Sequence, residues 1–173
     1  MEVFYGYVSW ALFRDESPNK HMIDENLSGF SSSLIHNPGL NSGLTVPQLT
    51  QAGLLGDMRV LSTPSTIDNI PTSSNQEDYV AMGYNSSKKA ISVAEKLEYN
   101  LAIELLSAYQ AQDFLGWENA RSSVTASIIE EISSYIPVIQ EDVFLYPYIE
   151  YLRDLIHSGR LIELAEEKIG ELL

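Results

Sequence analysis

The chain has 173 residues, of which 45% are hydrophobic, and its 24 acidic against 10 basic side chains give a formal net charge of −14. This length and composition predict one globular domain over residues 1–173, and the negative charge argues against nucleic acid or an anionic membrane surface as a partner. The absence of cysteine excludes disulfides and thiolate chemistry. Because no apolar run approaches the roughly 18–20 residues that span a bilayer, we expect no membrane partner and a cytoplasmic location.

The first segment, residues 2–15, is rich in aromatic side chains and carries few charges. Its pattern predicts a helix that is apolar on all sides, and such a helix must be buried against something. A chain that begins with such a segment looks like part of a larger structure. We therefore expect self-association that buries residues 3–13.

A turn followed by a short helix is predicted next. Pro38 and Gly39 are turn formers, and Ser42 is a candidate N-cap for the helix that follows. Apolar residues at helical spacing predict this helix over residues 45–56, with Gly56 as its terminator.

A polar, proline-punctuated loop of about twenty residues then runs from Leu61 to Gly83. Loops of this length are uncommon unless they are functional or disordered. Residues 73–78 place hydroxyl, amide and carboxylate groups together just before an apolar run, so they are candidates to line a polar pocket. Alternatively, residues 74–78 simply begin a helix, because Ser, Asn and Asp are favoured N-caps and acids suit the first turn.

The remainder of the chain reads as helices. Residues 86–112 show the strongest helical periodicity and predict a long bundle helix. A second helix is predicted over 119–136, where Pro137 stops it. Pro147 is predicted to begin a third that runs to about His157, and a last acidic helix follows Gly159 and runs to Leu173. Since no strand signal is present, the fold class is predicted to be all-α, a bundle of long helices.

One stretch of this sequence resembles a known family. Residues 71–83, Pro-Thr-Ser-Ser-Asn-Gln-Glu-Asp-Tyr-Val-Ala-Met-Gly, are similar to Pro-Thr-Ser-Ala-Asn-Gln-Glu-Asp-His-Val-Ser-Met-Gly of histidine ammonia-lyases, in the aromatic amino acid lyase family. Residues 38–44, 100–114 and 141–150 resemble further family segments, whereas residues 28–34 depart from the family's Gly-Leu-Pro-Pro-Phe-Leu turn. The resemblance implies the fold of the C-terminal part of such a lyase.

The resemblance also implies a site. Glu77 falls on the family's active-site glutamate, and Gln76 is its neighbour in the substrate-binding wall. A carboxylate there is expected to hold the substrate's ammonium or imidazole group first, and to move a proton second. Because the phenylalanine-selective branch tends to have glutamine at this position, Glu77 favours histidine as the small-molecule substrate.

The family's cofactor is a methylidene-imidazolone group made from an internal Ala-Ser-Gly, which this chain lacks. The Ser-Gly pairs at Ser28, Ser42 and Ser158 lie outside the family's pattern. No cofactor is therefore expected in this chain, and the methylidene-imidazolone is expected on a missing front part. A metal site is not predicted, because His21, His36 and His157 do not have a ligand spacing.

The resulting hypothesis is the C-terminal part of a histidine ammonia-lyase-like enzyme, which converts L-histidine to urocanate and ammonia. The chain is expected to be inactive alone and to share a composite site with a complementary front half or subunit. One alternative is part of an aminomutase or of another aromatic ammonia-lyase. The other is a non-catalytic helical oligomerisation remnant, which the departure at residues 28–34 favours and the near-intact segment 71–83 opposes.

Overall fold

The computed structural model describes residues 18–67, 69–117 and 121–172, and these residues form helices joined by loops. A 3-10 turn covers Ser32–Leu34, and the described ranges contain isolated β-bridges but no strand. The α-helices are α1 (Pro18–Ile23), α2 (Glu25–Ser28), α3 (Thr45–Leu61), α4 (Gly83–Leu115), α5 (Ser123–Ser133), α6 (Tyr146–His157) and α7 (Arg160–Ile169). The all-α prediction is confirmed.

Two predictions concern residues outside these ranges. The apolar helix over residues 2–15 and the burial of residues 3–13 lie outside the described residues. Within the described ranges, no helix combines the length and the apolar character that crossing a membrane requires.

The long helix predicted over residues 86–112 is confirmed as α4, which extends three residues further at each end. The helix predicted to begin at Pro147 is α6, which starts one residue earlier, at Tyr146, so that Pro147 lies in its first turn. There its missing N–H costs nothing, because the first N–H groups of a helix have no partner within the helix.

The predicted end of α3 at Gly56 was wrong, because this helix continues to Leu61. Glycine inside a helix costs only about 1 kcal/mol relative to alanine. Met58, two residues further on, is 1% exposed and packs with Val93 of α4. Burying a methionine side chain contributes roughly 1.5–3 kcal/mol, so packing outweighs the glycine.

The predicted ends of two later helices also needed correction. Helix α5 begins at Ser123 because the Ser122 hydroxyl caps it, accepting the Thr125 backbone N–H at 3.1 Å. It ends at Ser133, four residues before Pro137. Helix α7 ends at Ile169 because Gly170, with φ of 85°, leaves the helical conformation.

The chain divides into two compact units, and both long helices contribute to each. The first contains Gly53–Leu97, where Met58 and Val93 are buried and the apolar side chains of Leu55, Leu61, Ala90 and Leu97 pack against them. The second contains Ser17–Ala52 and Glu98–Leu173. The single domain over residues 1–173 stays a prediction.

The second unit holds the larger core, which is built around the C-terminal half of α4. Its fully or nearly fully buried side chains include Leu34, Ile35, Leu44, Ala102, Leu106, Tyr109, Ile132, Ile136, Ile139, Leu152 and Leu155. Two buried polar side chains in this core bond to backbone groups. The Tyr109 hydroxyl donates to Ile136 O at 2.7 Å. The buried Gln110 amide both donates to Ile139 O, at 2.9 Å, and accepts from Ile139 N, at 3.0 Å. These bonds tie the segment after α5 to α4.

The predicted turn before α3 is held by a residue far along the sequence. The Asp142 carboxylate accepts the backbone N–H groups of Ser42, at 2.9 Å, and Gly43, at 2.8 Å. Gly43 has φ of 53°, and a Cβ there would come within 2.6 Å of both Ile35 Cβ and Ser33 O. Only glycine fits this close approach without a shift of its neighbours.

Candidate active site

The loop that joins α3 to α4 carries both predicted site residues, Gln76 and Glu77. Because α3 ends at Leu61 and α4 begins only at Gly83, the long loop is present as the sequence predicted. The alternative in which residues 74–78 begin a helix was wrong. The polar cluster at residues 73–78 therefore needs a different explanation from helix capping.

The tip of this loop is a closed turn. The backbone of Thr72 pairs with that of Glu77 as an isolated antiparallel bridge, with Thr72 N donating to Glu77 O at 3.0 Å and Glu77 N donating to Thr72 O at 3.4 Å. Inside the turn, Gln76 N donates to Ser73 O at 3.2 Å. These bonds place Gln76 and Glu77 together on the limb that returns toward α4.

The same turn contains an unusual run of backbone conformations. Ser73, Ser74 and Asn75 have φ of 50°, 57° and 65° in succession. For residues with a side chain, the left-handed region costs roughly 1–2 kcal/mol per residue, and asparagine tolerates it better than most. Strain of this kind clusters at functional sites, where the surrounding structure maintains it. The backbone conformation therefore indicates that the loop tip is functional, and this indication does not depend on the sequence resemblance.

A second closure lies below the tip. The Asn69 side chain donates from Nδ2 to Val80 O at 2.6 Å and accepts from Val80 N, through Oδ1, at 3.0 Å. One side-chain amide thus satisfies both backbone groups of a residue on the opposite limb. Sequence reasoning missed Asn69, because nothing in its neighbourhood indicates a partner eleven residues further along the chain.

Gln76 and Glu77 are both exposed to solvent in this chain. The Thr72 hydroxyl donates to Glu77 Oε2 at a long 3.4 Å, so the carboxylate keeps most of its accepting capacity. An ionised carboxylate can bind an ammonium or imidazolium group by charge-assisted hydrogen bonds. The geometry therefore suits binding of a cationic group.

Large exposed apolar side chains lie on both sides of this carboxylate in the sequence. The exposed ones that flank the polar cluster are Ile67, Ile70, Tyr79 and Tyr84, and Tyr79 is 87% exposed. Contiguous exposed apolar groups rimmed by polar residues are typical of an interaction surface or a ligand groove. At the base of the loop, a small pocket lies between the Leu61–Ser65 segment and α4, where Lys89 Nζ donates to Thr63 O at 2.5 Å.

The histidines lie elsewhere, and two of them pair with carboxylates. His36 Nε2 lies 2.8 Å from Asp113 Oδ2 and its ring stacks on Phe114, and His157 Nδ1 lies 2.8 Å from Glu98 Oε1. His21 is exposed. In the part of the chain that the structure describes, no three candidate ligands gather at one point.

The clearest shifts in ionisation also fall outside the loop. The N–H groups of Ser42 and Gly43 lower the pKa of Asp142, because they stabilise its charged form. The Tyr99 hydroxyl donates to Glu150 Oε1 at 2.6 Å, and this bond raises the pKa of Tyr99. Burial raises the pKa of the Tyr109 hydroxyl. These groups stabilise the second unit.

Comparison with known protein sequences places the chain in a family. A sequence model described as aromatic amino acid lyase matches residues 16–134. The chain is 42% identical over 144 residues to a probable histidine ammonia-lyase of Thermoplasma volcanium, covering 83% of this chain and 29% of that protein. It is 37% identical over 153 residues to a histidine ammonia-lyase of Symbiobacterium thermophilum, covering 88% of this chain and 30% of that one. The chain thus spans about three-tenths of the relatives' length.

Solved structures agree with this assignment. Histidine ammonia-lyase from Trypanosoma cruzi superposes with a TM-score of 0.81 at 32% identity, over 86% of this chain and 29% of that one. Tyrosine aminomutase from Streptomyces globisporus shares the fold, with a TM-score of 0.85 at 22% identity over 96% of this chain and 31% of that one. The resemblance seen in the sequence is confirmed, and the chain belongs to the aromatic amino acid lyase family.

Proposed function

We propose that this chain is the C-terminal part of a histidine ammonia-lyase-like enzyme and supplies Glu77 to a composite active site. The observation that carries the proposal is the loop of residues 72–80. It combines the family's Asn-Gln-Glu-Asp run with a strained, doubly closed backbone that presents Glu77 outward. A loop that served only to connect two helices would need neither feature.

The exposure of this loop supports a site shared with another polypeptide. Glu77 is exposed, and large apolar side chains lie exposed beside it in sequence. Apolar groups of this size gain free energy when a partner covers them. The partner would be the remaining part of the lyase, on a longer chain or a separate subunit.

The electrophilic group must also come from that partner. The chain contains no Ala-Ser-Gly from which a methylidene-imidazolone could form. Its Ser-Gly pairs are already used in the fold: Gly29 and Gly159 flank helix ends, and Asp142 binds the backbone of Ser42 and Gly43. The residues present do not fit the group, so we assign this chain no step of the chemistry that the group performs.

The role that remains for this chain is to bind and orient the substrate. The Glu77 carboxylate would accept a hydrogen bond from the ammonium or imidazole of histidine, with Gln76 beside it in the pocket wall. Hydrogen bonds to charged groups contribute about 1.5–3 kcal/mol each. Covering the loop with a partner would remove competing water and strengthen this interaction.

Reconstitution tests the proposal. The chain is co-expressed with the unmatched remainder of a histidine ammonia-lyase, and the ultraviolet absorbance of urocanate is followed after histidine is added. We expect activity only when both parts are present, and Glu77→Gln should lower kcat/KM roughly 10- to 100-fold because one charge-assisted bond is lost. The matched control is Glu95→Gln, which changes an exposed glutamate of α4 in the same unit.

Each outcome has a defined meaning. An associated, folded pair that forms no urocanate rejects the histidine ammonia-lyase, and an isomer with a shifted amino group would identify an aminomutase instead. A rate that Glu77→Gln leaves unchanged removes the role given to that residue. Activity of this chain alone would show that the site is not composite.

A further inference from the structure

The Asn69 side chain bonds to Val80 in the way that a backbone peptide group of a neighbouring strand would. Its amide donates to Val80 O and accepts from Val80 N, and both residues are partly buried. This is the pattern of bonds that a neighbouring strand residue would make with Val80. The contact therefore closes, through a side chain, a loop whose two ends lie eleven positions apart. Two paired strands would close such a loop through backbone bonds alone.

This closure lies directly below the strained tip. The chain passes from Asn69 to the Thr72–Glu77 bridge, through the left-handed residues Ser73–Asn75, and back to Val80. One of the two bonds of that bridge is long, 3.4 Å. Each exposed bond is weak because water competes for the same groups. The amide of Asn69 therefore adds two further bonds across the loop, at 2.6 and 3.0 Å, and the first is shorter than either bond of the bridge.

The geometry points to Asn69 as the positioning residue for Glu77. Asn69 fixes Val80, which follows the tip, against the part of the loop that precedes the tip. This holds residues 73–75 in their left-handed conformation and so sets the direction in which the Glu77 side chain leaves the backbone. Its effect on catalysis rests on the function proposed above, whereas its effect on the loop does not. A planar amide with one donor and one acceptor is needed, since the carboxylate of an aspartate would face Val80 O with no proton to donate.

The loop itself provides the first test, in the full chain without any partner. Nuclear magnetic resonance measures the exchange rate of the Val80 amide and the strong intraresidue HN–Hα Overhauser effects typical of positive φ at Ser73–Asn75. Asn69→Ala should speed exchange at Val80 roughly 3- to 10-fold, as expected for one lost hydrogen bond, and should weaken those Overhauser effects. Asn69→Asp is the second variant: it keeps an acceptor for the Val80 N–H but places a carboxylate oxygen against Val80 O, so it should weaken the Overhauser effects and speed exchange at Val80 less than Asn69→Ala does.

Asn85→Ala is the matched control. It removes the same amide from the same unit, where the Asn85 side chain makes only a long contact of 3.9 Å to the Met82 sulfur. It should leave exchange at Val80 and the signals of Ser73–Asn75 unchanged. Equal behaviour of wild type and both Asn69 variants at these residues would overturn the inference.

The second test uses the reconstituted enzyme and a double variant. If Asn69 acts through Glu77, Asn69→Ala should lower kcat/KM severalfold, and Asn69→Ala with Glu77→Gln should be no slower than Glu77→Gln alone. Fully additive losses would contradict a role through Glu77. If the wild-type assembly forms no urocanate, the proposed function fails, while the exchange and Overhauser measurements still decide whether Asn69 sets the loop.

Discussion

Asp142 illustrates how a single side chain can hold a loop that lies about a hundred residues away in the sequence. It accepts two backbone N–H groups, from Ser42 and Gly43, and these bonds exist in full only when the carboxylate is ionised. The pKa of Asp142 is therefore lowered in the folded chain relative to its ordinary value of 3.8. A carboxylate of this kind stabilises the fold above its unfolded pKa and loses that effect as the pH falls through its folded pKa.

This linkage gives a pH-dependent prediction. Urea unfolding of wild type and Asp142→Asn should show a lower midpoint for the variant at neutral pH. The difference should begin to shrink near pH 3.8 and vanish below the lowered pKa, because protonated Asp142 and asparagine are then alike. Asp154→Asn, an exposed carboxylate with a 3.8 Å contact to Arg153, is the control and should change the midpoint less. A difference that is the same at every pH would show that the charge is not what holds the loop.

Residues whose roles could be predicted from the sequence lie within one local segment, whereas the residues that were missed bond to partners far away along the chain. Gln76 and Glu77 were named because they lie within one continuous segment of family character. Asn69 and Asp142 were missed because their partners lie eleven and about a hundred residues away. Their roles depend on which segments the fold brings together, and the local sequence pattern does not indicate these long-range contacts.

At the scale of elements, α4 was predictable from its local pattern, whereas the end of α3 depends on a contact with another helix. Helix α4 was predicted closely because its apolar residues recur at helical spacing over many turns. The end of α3 was misplaced because a local signal, Gly56, was outweighed by the burial of Met58 against Val93. Helix ends are decided by small free-energy differences, so a tertiary contact worth a few kcal/mol overrides them.

If Gly56 is only tolerated in α3, replacing it should stabilise the chain. A Cβ at Gly56 would meet nothing within 4 Å, and its backbone is not left-handed. Gly56→Ala should therefore raise the free energy of unfolding by about 0.5–1 kcal/mol, since alanine loses less conformational entropy in a helix. Chemical denaturation followed by circular dichroism measures the change. Gly29→Ala, where φ is +74°, is the opposite control and should destabilise the chain. If Gly56→Ala fails to stabilise it, Gly56 has another role.

At the scale of the whole molecule, two properties act against each other. Apolar side chains are exposed in both units, among them Leu40, Val60, Tyr84 and Phe144, and they favour association with another polypeptide. The net charge of −14 opposes association between copies of the same chain. The chain is matched to only about three-tenths of its relatives, so in a complete lyase other polypeptide would be available to cover some of these groups.

This opposition gives a prediction about self-association and salt. The screening length falls from about 10 Å at 0.1 M to about 3 Å at 1 M ionic strength, whereas apolar contacts are not weakened by salt. Raising sodium chloride from about 0.1 to 1 M should therefore shift the isolated chain toward larger species in sedimentation velocity experiments. Association through ion pairs would respond in the opposite direction, by dissociating as salt is added. A chain that stays a monomer at both salt concentrations would contradict the predicted self-association, because charge repulsion is largely screened at 1 M and apolar contacts should then bring copies together.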